Sequence, residues 1–270
     1  MTPGDDVPRQ FPMAPLEVFL VSRFMVFTLV LARVSGLIVI APIFGTLGLP
    51  RHVRAFFALA LALLVTPVYL GASLPPVSDI GQYAQMLVNE VAVGLLLGLG
   101  VNIMFSGIQV AGQIVSQMSG LSLADVFSPG FDENVSVFSQ LFYYLTVAVF
   151  VAVGGHRMMV EALLETFAWV PPGQALLGDS YVDVLTGLMS QSFMLGIHAA
   201  APLLVALLLS TIVLGLVSRT LPQINIIAVG FGLNSFLTLA MTLVSLGTVA
   251  WTFQEPTIDA LRALQDSLHP

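Results

Sequence analysis

Six long apolar segments follow one another along the chain, separated by short polar stretches. They cover residues 18–48, 55–70, 84–111, 136–153, 184–218 and 223–253. Most are rich in Leu, Val, Ala and Phe, and a membrane-spanning helix needs about 20 consecutive apolar residues. The pattern therefore predicts an all-α membrane protein with about six long apolar helices.

Some segments do not fit a simple span. Segment 184–218 contains 35 residues without a charge and would be roughly 52 Å long as one helix, against a hydrocarbon core of about 30 Å. We expect it to be steeply tilted, kinked at Pro202, or extended beyond the bilayer. The first segment carries Arg33 in its middle and is expected to break at Pro42, and segment 55–70 is expected to end at Pro67.

A softer segment, GQIVSQMSGLSLADVFSPGFDEN, occupies residues 112–134 between two apolar stretches. It is rich in Gly and Ser, half apolar, and free of charge as far as Asp125. A surface turn would need only a few residues, so this length calls for another explanation.

A shorter stretch at 157–169 has a polar stripe. Arg157, Glu161 and Glu165 are spaced four residues apart on an otherwise apolar sequence, which places them on one face of a helix. Two interpretations stay open: an amphipathic helix in the membrane interface, or a helix that docks on a partner helix.

Composition confirms the membrane class and excludes several activities. The chain is 57% hydrophobic and 9% charged, with a mean hydropathy of +0.97, whereas soluble domains carry about 25% charged residues. The net charge of −7 argues against nucleic-acid binding. Cysteine and lysine are both absent, which excludes disulfides, Cys-ligated metals, Schiff bases and the phosphate-binding lysine of P-loops.

Arg residues flank the segments on both sides, so the positive-inside rule gives no orientation.

Candidate chemistry is sparse. No zinc-binding HExxH, serine-nucleophile or P-loop motif occurs, so we predict no enzyme activity, cofactor or metal. The intramembrane polar candidates are Arg33, Glu90 and His198. We expect Glu90 to lie near a helix start, where an acid suits the helix dipole, and His198 to be a hydrogen-bonded core residue. Arg33 is expected to reach a backbone carbonyl, a helix end or a partner carboxylate.

Four stretches give the chain a family resemblance. They are ARVSGLIVIAPIFGTLGLPRHVR at 32–54, AGQIVSQMSGLSLADVFSPG at 111–130, GGHRMM at 154–159 and GLVSRTLPQINIIAVGF at 215–231. Through them the chain resembles the FliR family of flagellar type III export-gate subunits. The resemblance covers roughly residues 18–254.

The resemblance implies an architecture. A FliP-like helical part, 18–180, is joined to a FliQ-like helical hairpin, 184–254, and residues 255–270 form a C-terminal tail. Residues 1–17 are expected to form a disordered tail because they are rich in Pro and carry Asp5 and Asp6 before the first Arg. Such a chain would join FliP and FliQ subunits in a spiral assembly around a channel, with FlhA and FlhB as further components. The assembly would pass unfolded flagellar proteins across the bacterial inner membrane at the flagellar basal body.

The resemblance also assigns roles to residues. The segment 111–130 corresponds to a plug that helps to close the channel, with Gly112, Gly120 and Gly130 as candidate hinges. The implied gating residues are Gly112, Ser116, Gln117, Met118, Ser119, Gly120, Leu121, Ser122, Leu123, Ala124, Asp125, Val126 and Phe127. Flexible Met and apolar side chains suit such a seal, because apolar constrictions gate by dewetting. An ordinary interhelical loop is the alternative.

A second set of residues is expected to serve assembly and packing. Gly94 and Gly98 form a small-xxx-small motif that lets helices approach closely, and Arg219 and Pro222 end a long helix. The full set is Arg33, Pro42, Pro50, Arg51, Arg54, Gly94, Gly98, Gly154, Gly155, His156, Arg219, Pro222 and Gln223.

Other functions stay open at this point. The homologous subunit of a virulence type III injectisome would share the whole pattern. An autonomous small-solute transporter would need polar groups near the bilayer midplane and often an internal repeat, neither of which is evident. An intramembrane enzyme has no supporting motif.

Overall fold

The protein is described here from a computed structural model. The structure describes residues 15–42, 44, 50–70, 75, 77, 79–120, 136–175, 180–221, 223 and 225–267. Across these residues it has seven helices: α1 (Pro15–Ile40), α2 (Arg51–Tyr69), α3 (Ile80–Ser119), α4 (Val137–Ala152), α5 (Gly155–Trp169), α6 (Ser180–Thr220) and α7 (Ile226–Ser267). The prediction of an all-α membrane protein is confirmed.

Four of the described helices are long and apolar enough to cross a membrane: Phe19–Ile40, Arg51–Tyr69, Ile80–Ser119 and Tyr181–Thr220. Helices α4 and α5 meet at a bend of 67° and together could supply one more span. Helices α3, α6 and α7 contain 40, 41 and 42 residues and are therefore each about 60 Å long. Each is about twice the thickness of the hydrocarbon core.

Helix α3 is the centre of the fold. It packs against α1, α4, α6 and α7, and its buried face includes Met104, Phe105 and Ile108. Contacts of Arg33 with Glu90 and of Leu37 with Gly98 show that α1 runs parallel to α3. Helix α4 runs antiparallel to it.

Several predicted boundaries differ from the structure. Helix α3 continues to Ser119, so the first residues of the soft segment complete a helix whose buried face continues through Ala111 and Val115. Helix α2 runs through Pro67 to Tyr69, and α6 runs unbroken through Pro202. A proline removes one backbone hydrogen bond, but neither helix ends at its proline.

The 157–169 stretch forms α5, which starts two residues earlier than predicted. Gly154, at φ 83°, makes the turn out of α4, a backbone conformation that favours glycine. Arg157, Glu161 and Glu165 are all exposed on α5. The polar stripe is therefore present on the surface, where both an interfacial helix and a docking helix would need it.

Helices α6 and α7 form an antiparallel hairpin. Ser210 donates a hydrogen bond to Asn234, and Leu214 lies beside Gly230. Helix α7 extends to Ser267, so most of the predicted C-terminal tail is helical. At the other end, α1 begins at Pro15, within the predicted N-terminal tail, whose earlier residues lie outside the described part.

Candidate functional site

The predicted gating residues divide into a helical part and a part outside the described residues. Gly112, Ser116 and Ser119 are buried along the end of α3, whereas Gln117 and Met118 are exposed. Gly120 ends the helix at φ 79°, which makes it the point where the chain turns away. The remaining predicted gating residues lie outside the described part: Leu121, Ser122, Leu123, Ala124, Asp125, Val126 and Phe127.

The start of α4 anchors this end of α3. Ser136 caps α4 through its hydroxyl group, which accepts a hydrogen bond from the Ser139 amide at 3.1 Å. The Ser139 hydroxyl donates to the Gln109 carbonyl at 2.8 Å, and a Cβ at Gly112 would lie 2.8 Å from the Ser139 Cα. Gly112 therefore allows close packing against α4 in this structure. The residues that flank segment 121–135 on both sides therefore belong to the packed ends of α3 and α4.

A buried ion pair joins α1 to α3. The Nε of Arg33 donates to the Glu90 carboxylate at 2.6 Å, and both side chains are fully buried. Arg33 also donates to the Thr166 hydroxyl and the Val170 carbonyl, each at 3.1 Å, and its guanidinium lies 4.2 Å from the centroid of the Phe167 ring. The guanidinium thus has a carboxylate, two oxygen acceptors and an aromatic face.

The other carboxylate oxygen of Glu90 extends this network to the chain after α5. It accepts a hydrogen bond from the Gly173 amide at 2.7 Å, and the neighbouring Asn89 side chain donates to the Ala175 carbonyl at 2.9 Å. The network therefore holds the 170–175 turn against α1 and α3. Its hydrogen bonds connect elements that lie far apart in sequence, and its role is to hold these elements together.

Two expectations for these residues are wrong. Glu90 does not lie near a helix start: α3 begins at Ile80, and the carboxylate is neutralised by Arg33. His198 is exposed and its Nδ1 lies 2.9 Å from the Met194 carbonyl of its own helix, so it is not a core residue. Of the alternatives for Arg33, a backbone carbonyl, a helix end or a partner carboxylate, the structure shows the Val170 carbonyl and the Glu90 carboxylate of the same chain.

Glycines set the distances between α3 and its neighbours. A Cβ at Gly94 would overlap the Arg33 carbonyl oxygen, and one at Gly98 would lie 3.1 Å from the Leu37 carbonyl oxygen. Further along α3, a Cβ at Gly107 would overlap the Ser192 carbonyl oxygen, and one at Gly196 would overlap the Gly107 carbonyl oxygen. We call Gly107 and Gly196 the α3–α6 glycine contact. Such backbone contact requires the absence of a side chain.

The remaining predicted assembly residues are spread over the molecule. Pro42 is buried and accepts a hydrogen bond from Tyr143 through its carbonyl, and Gly155 packs under the Phe150 ring. Arg54 is half-buried. The exposed members are Pro50, Arg51, His156, Arg219 and Gln223, while Pro222 lies outside the described residues. The structure does not gather this set into one site.

Sequence reasoning missed part of the network and of the packing. Thr166 and Gly173 carry no sequence signal for binding Arg33 or Glu90, because hydroxyl and backbone groups are ubiquitous. The pairing of Arg33 with Glu90 had a signal: two opposite charges in apolar segments favour each other as partners. No group of three or more His, Asp or Glu able to hold a metal occurs among the residues that the structure describes.

Comparison with known proteins gives one consistent result. The family described as bacterial export proteins, family 1, matches residues 24–258. Flagellar biosynthetic protein FliR of Caulobacter vibrioides is 28% identical, with 83% of this chain and 90% of the relative covered. The proteins of the same name from Bacillus subtilis and Escherichia coli are 27% and 29% identical, over 85% and 80% of this chain and 89% and 81% of theirs. The chain, with its apolar helices and a family match over most of its length, belongs to family 1 of the bacterial export proteins, the FliR family.

Proposed function

We propose that the protein is a structural subunit of the flagellar type III export gate and helps unfolded flagellar proteins to cross the membrane. The family match over residues 24–258 carries the proposal. A subunit of this kind needs no bond-making site, and the buried charges of Arg33 and Glu90 are used up in holding helices together.

Assembly with FliP and FliQ subunits, next to FlhA and FlhB, is the arrangement we propose. Within the candidate span Tyr181–Thr220, only 22% of an 18-residue apolar window is buried within the chain. Its exposed side chains are mainly large and apolar, among them Phe193, Ile197, Leu208, Ile212 and Leu216. Because the helix is about twice as long as the hydrocarbon core is thick, lipid alone cannot cover this surface. Partner helices would cover the remainder.

We place this assembly in the bacterial inner membrane, in the flagellar basal body. Within it, residues 18–180 would act as the FliP-like part and 184–254 as the FliQ-like hairpin. The autonomous small-solute transporter is disfavoured, because the intramembrane ion pair is saturated by fixed partners. The injectisome subunit shares the architecture, and the relatives found carry the flagellar name.

Deletion of the gene is expected to abolish export of hook and filament proteins, because a gate that lacks one channel subunit cannot complete its spiral assembly. Secreted flagellar proteins in the culture medium would be measured by immunoblot, with a plasmid copy of the gene as the control. Unchanged export in the deletion strain would reject the proposed function.

A plug role for the last turn of α3 and the segment that follows it has its own test. Deleting residues 116–124 should let the gate assemble but make the membrane leaky to ions, because the sealing side chains are lost. Ion flux into proteoliposomes containing the purified complex measures the leak. A replacement of the same nine residues by another small, apolar sequence is the matched control. Equal flux through deleted and intact complexes would exclude the plug.

A further inference from the structure

A narrow row of uncharged polar side chains follows one face of α3. Asn102, Ser106, Gln109, Gln113 and Gln117 are spaced four, three, four and four residues apart. At 100° per residue they fall within an arc of roughly 80°, and the row is roughly 22 Å long. We call these five residues the amide row.

The amide row is on the outside of the described chain. Asn102, Ser106 and Gln117 are exposed, and Gln109 and Gln113 are half-buried. The opposite face of the same turns is closed, with Met104 and Ile108 fully buried. The row is therefore a surface feature between the neighbours of α3, and the internal core does not account for it.

The row is not satisfied by its own surroundings. Ser106 donates to the Ile103 carbonyl within the helix, and the Gln113 side chain accepts from the Ser136 amide at a long 3.4 Å. Within the described ranges, the side-chain amides of Asn102, Gln109 and Gln117 make no hydrogen bond. Three amides without partners would be costly in hydrocarbon, where each unsatisfied polar group costs several kcal/mol.

Its neighbours on the same helix have the opposite character. Val110 and Ile114 are 42% and 38% exposed. Around the helix axis they lie next to the amide row, within about one third of a turn of its middle. One strip of α3 thus suits an apolar environment, and the adjacent strip requires water or polar partners. A random scatter of polar residues would not divide a helix surface in this way.

We propose that the amide row lines the aqueous conduit through which the unfolded substrate passes. The inference rests on the proposed function, since it assigns the substrate-facing side of the same subunit. The row leads from the middle of α3 to Gly120, where the chain turns into the segment predicted to be the plug. It therefore runs along the approach to that segment.

The chemistry of the row suits a passing polypeptide. Amides and hydroxyls both donate and accept hydrogen bonds, so they can replace water around any exposed backbone. Between Ile80 and Ser119, α3 contains no Asp, Lys, Arg or His, and its single Glu, Glu90, is paired with Arg33. A wall without fixed charge binds neither acidic nor basic segments strongly, which suits a conduit for unfolded chains of varied sequence.

Cysteine accessibility tests this assignment, because the chain has no native cysteine. Asn102→Cys and Ser106→Cys report on the row at positions outside the predicted plug. Val110→Cys and Ile114→Cys are matched controls that are also exposed on the described chain, and Val115→Cys is a buried control. Assembled gates in native membrane vesicles are treated with a positively charged, membrane-impermeant methanethiosulfonate. Export by each variant is measured first.

We expect the two row thiols to react at least tenfold faster than the Val110 and Ile114 controls, because the reactive thiolate forms in water and is suppressed in apolar surroundings. An export substrate arrested by a stably folded C-terminal domain should slow their labelling, because it occupies the conduit.

Two outcomes would overturn the assignment. Row thiols that react no faster than the controls would show that a partner helix or lipid covers the row. Fast labelling that the arrested substrate does not change would place the row in a water-filled crevice outside the conduit. Neither result affects the export defect of the gene deletion, so failure of this inference is distinguishable from failure of the proposed function.

Discussion

Arg33→Ala is expected to destabilise the protein so strongly that the amount of folded protein in the membrane falls to a small fraction of the native level. The substitution leaves the fully buried Glu90 carboxylate without its counter-ion and frees the Val170 carbonyl and the Phe167 ring. Removing one partner of a buried ion pair costs about 3–5 kcal/mol, a large part of a typical stability of about 5–15 kcal/mol. Thermal unfolding of the detergent-extracted protein and its level in membranes are the measurements.

Two further variants make this prediction specific. The pair Asp259–Arg262 is exposed and 3.8 Å apart, so Arg262→Ala should leave the melting temperature nearly unchanged. The double variant Arg33→Met with Glu90→Met should recover part of the loss, because no buried charge remains and Thr166 still donates to the Leu163 carbonyl. Recovery is incomplete because the Gly173 amide and the Val170 carbonyl lose their side-chain partners. If Arg33→Ala melts like Arg262→Ala, the buried network does not stabilise the fold.

Adding one methyl group to the α3–α6 glycine contact should also have a large effect. Gly107→Ala places a carbon against the Ser192 backbone, and Gly196→Ala places one against the Gly107 backbone. Backbone atoms cannot rotate away as a side chain does, so α3 and α6 must separate along their contact. We expect each substitution to cost at least about 1–3 kcal/mol, the usual range for overpacking, measured as a lower melting temperature and less assembled complex.

Helix α6 supplies the matched control. Gly187→Ala adds the same methyl group to the same helix, but nothing described lies within 4 Å of its position. Because alanine favours helix by about 1 kcal/mol over glycine, this variant should be as stable as the native chain or slightly more stable. Equal melting of Gly187→Ala and Gly196→Ala would show that close contact of α3 with α6 is not required.

One of these two predictions concerns the contact between the two predicted parts of the chain, and the other concerns packing within the FliP-like part, close to where the hairpin begins. The glycine contact joins α3, in the predicted FliP-like part, to α6, in the predicted FliQ-like hairpin. The Arg33–Glu90 network fixes the 170–175 turn, a few residues before that hairpin begins. We therefore expect both sets of variants to lower export in proportion to their loss of assembled complex.

The apolar segments by themselves determined that this is an all-α membrane protein. A membrane helix satisfies its backbone hydrogen bonds within a single segment, so a local run such as 184–218 is enough to predict one. The same locality explains the errors at the ends. Whether α3 stops near residue 111 or continues to Ser119 depends on whether Ala111 and Val115 pack against another helix. The local sequence does not show which helix that is.

The tertiary structure alone decided how the polar and small residues are used. Arg33 and Glu90 lie 57 positions apart, and only the parallel packing of α1 on α3 brings them within hydrogen-bonding distance. The motif at Gly94 and Gly98 was visible as a small-residue pattern, whereas Gly107 and Gly196 became partners only through the crossing of α3 and α6. The amide row existed in the sequence as a helical period, but its exposure depended on which faces of α3 the other helices cover. The amino-acid sequence determines which residues share one face of a helix, and long-range packing determines which of these faces is buried.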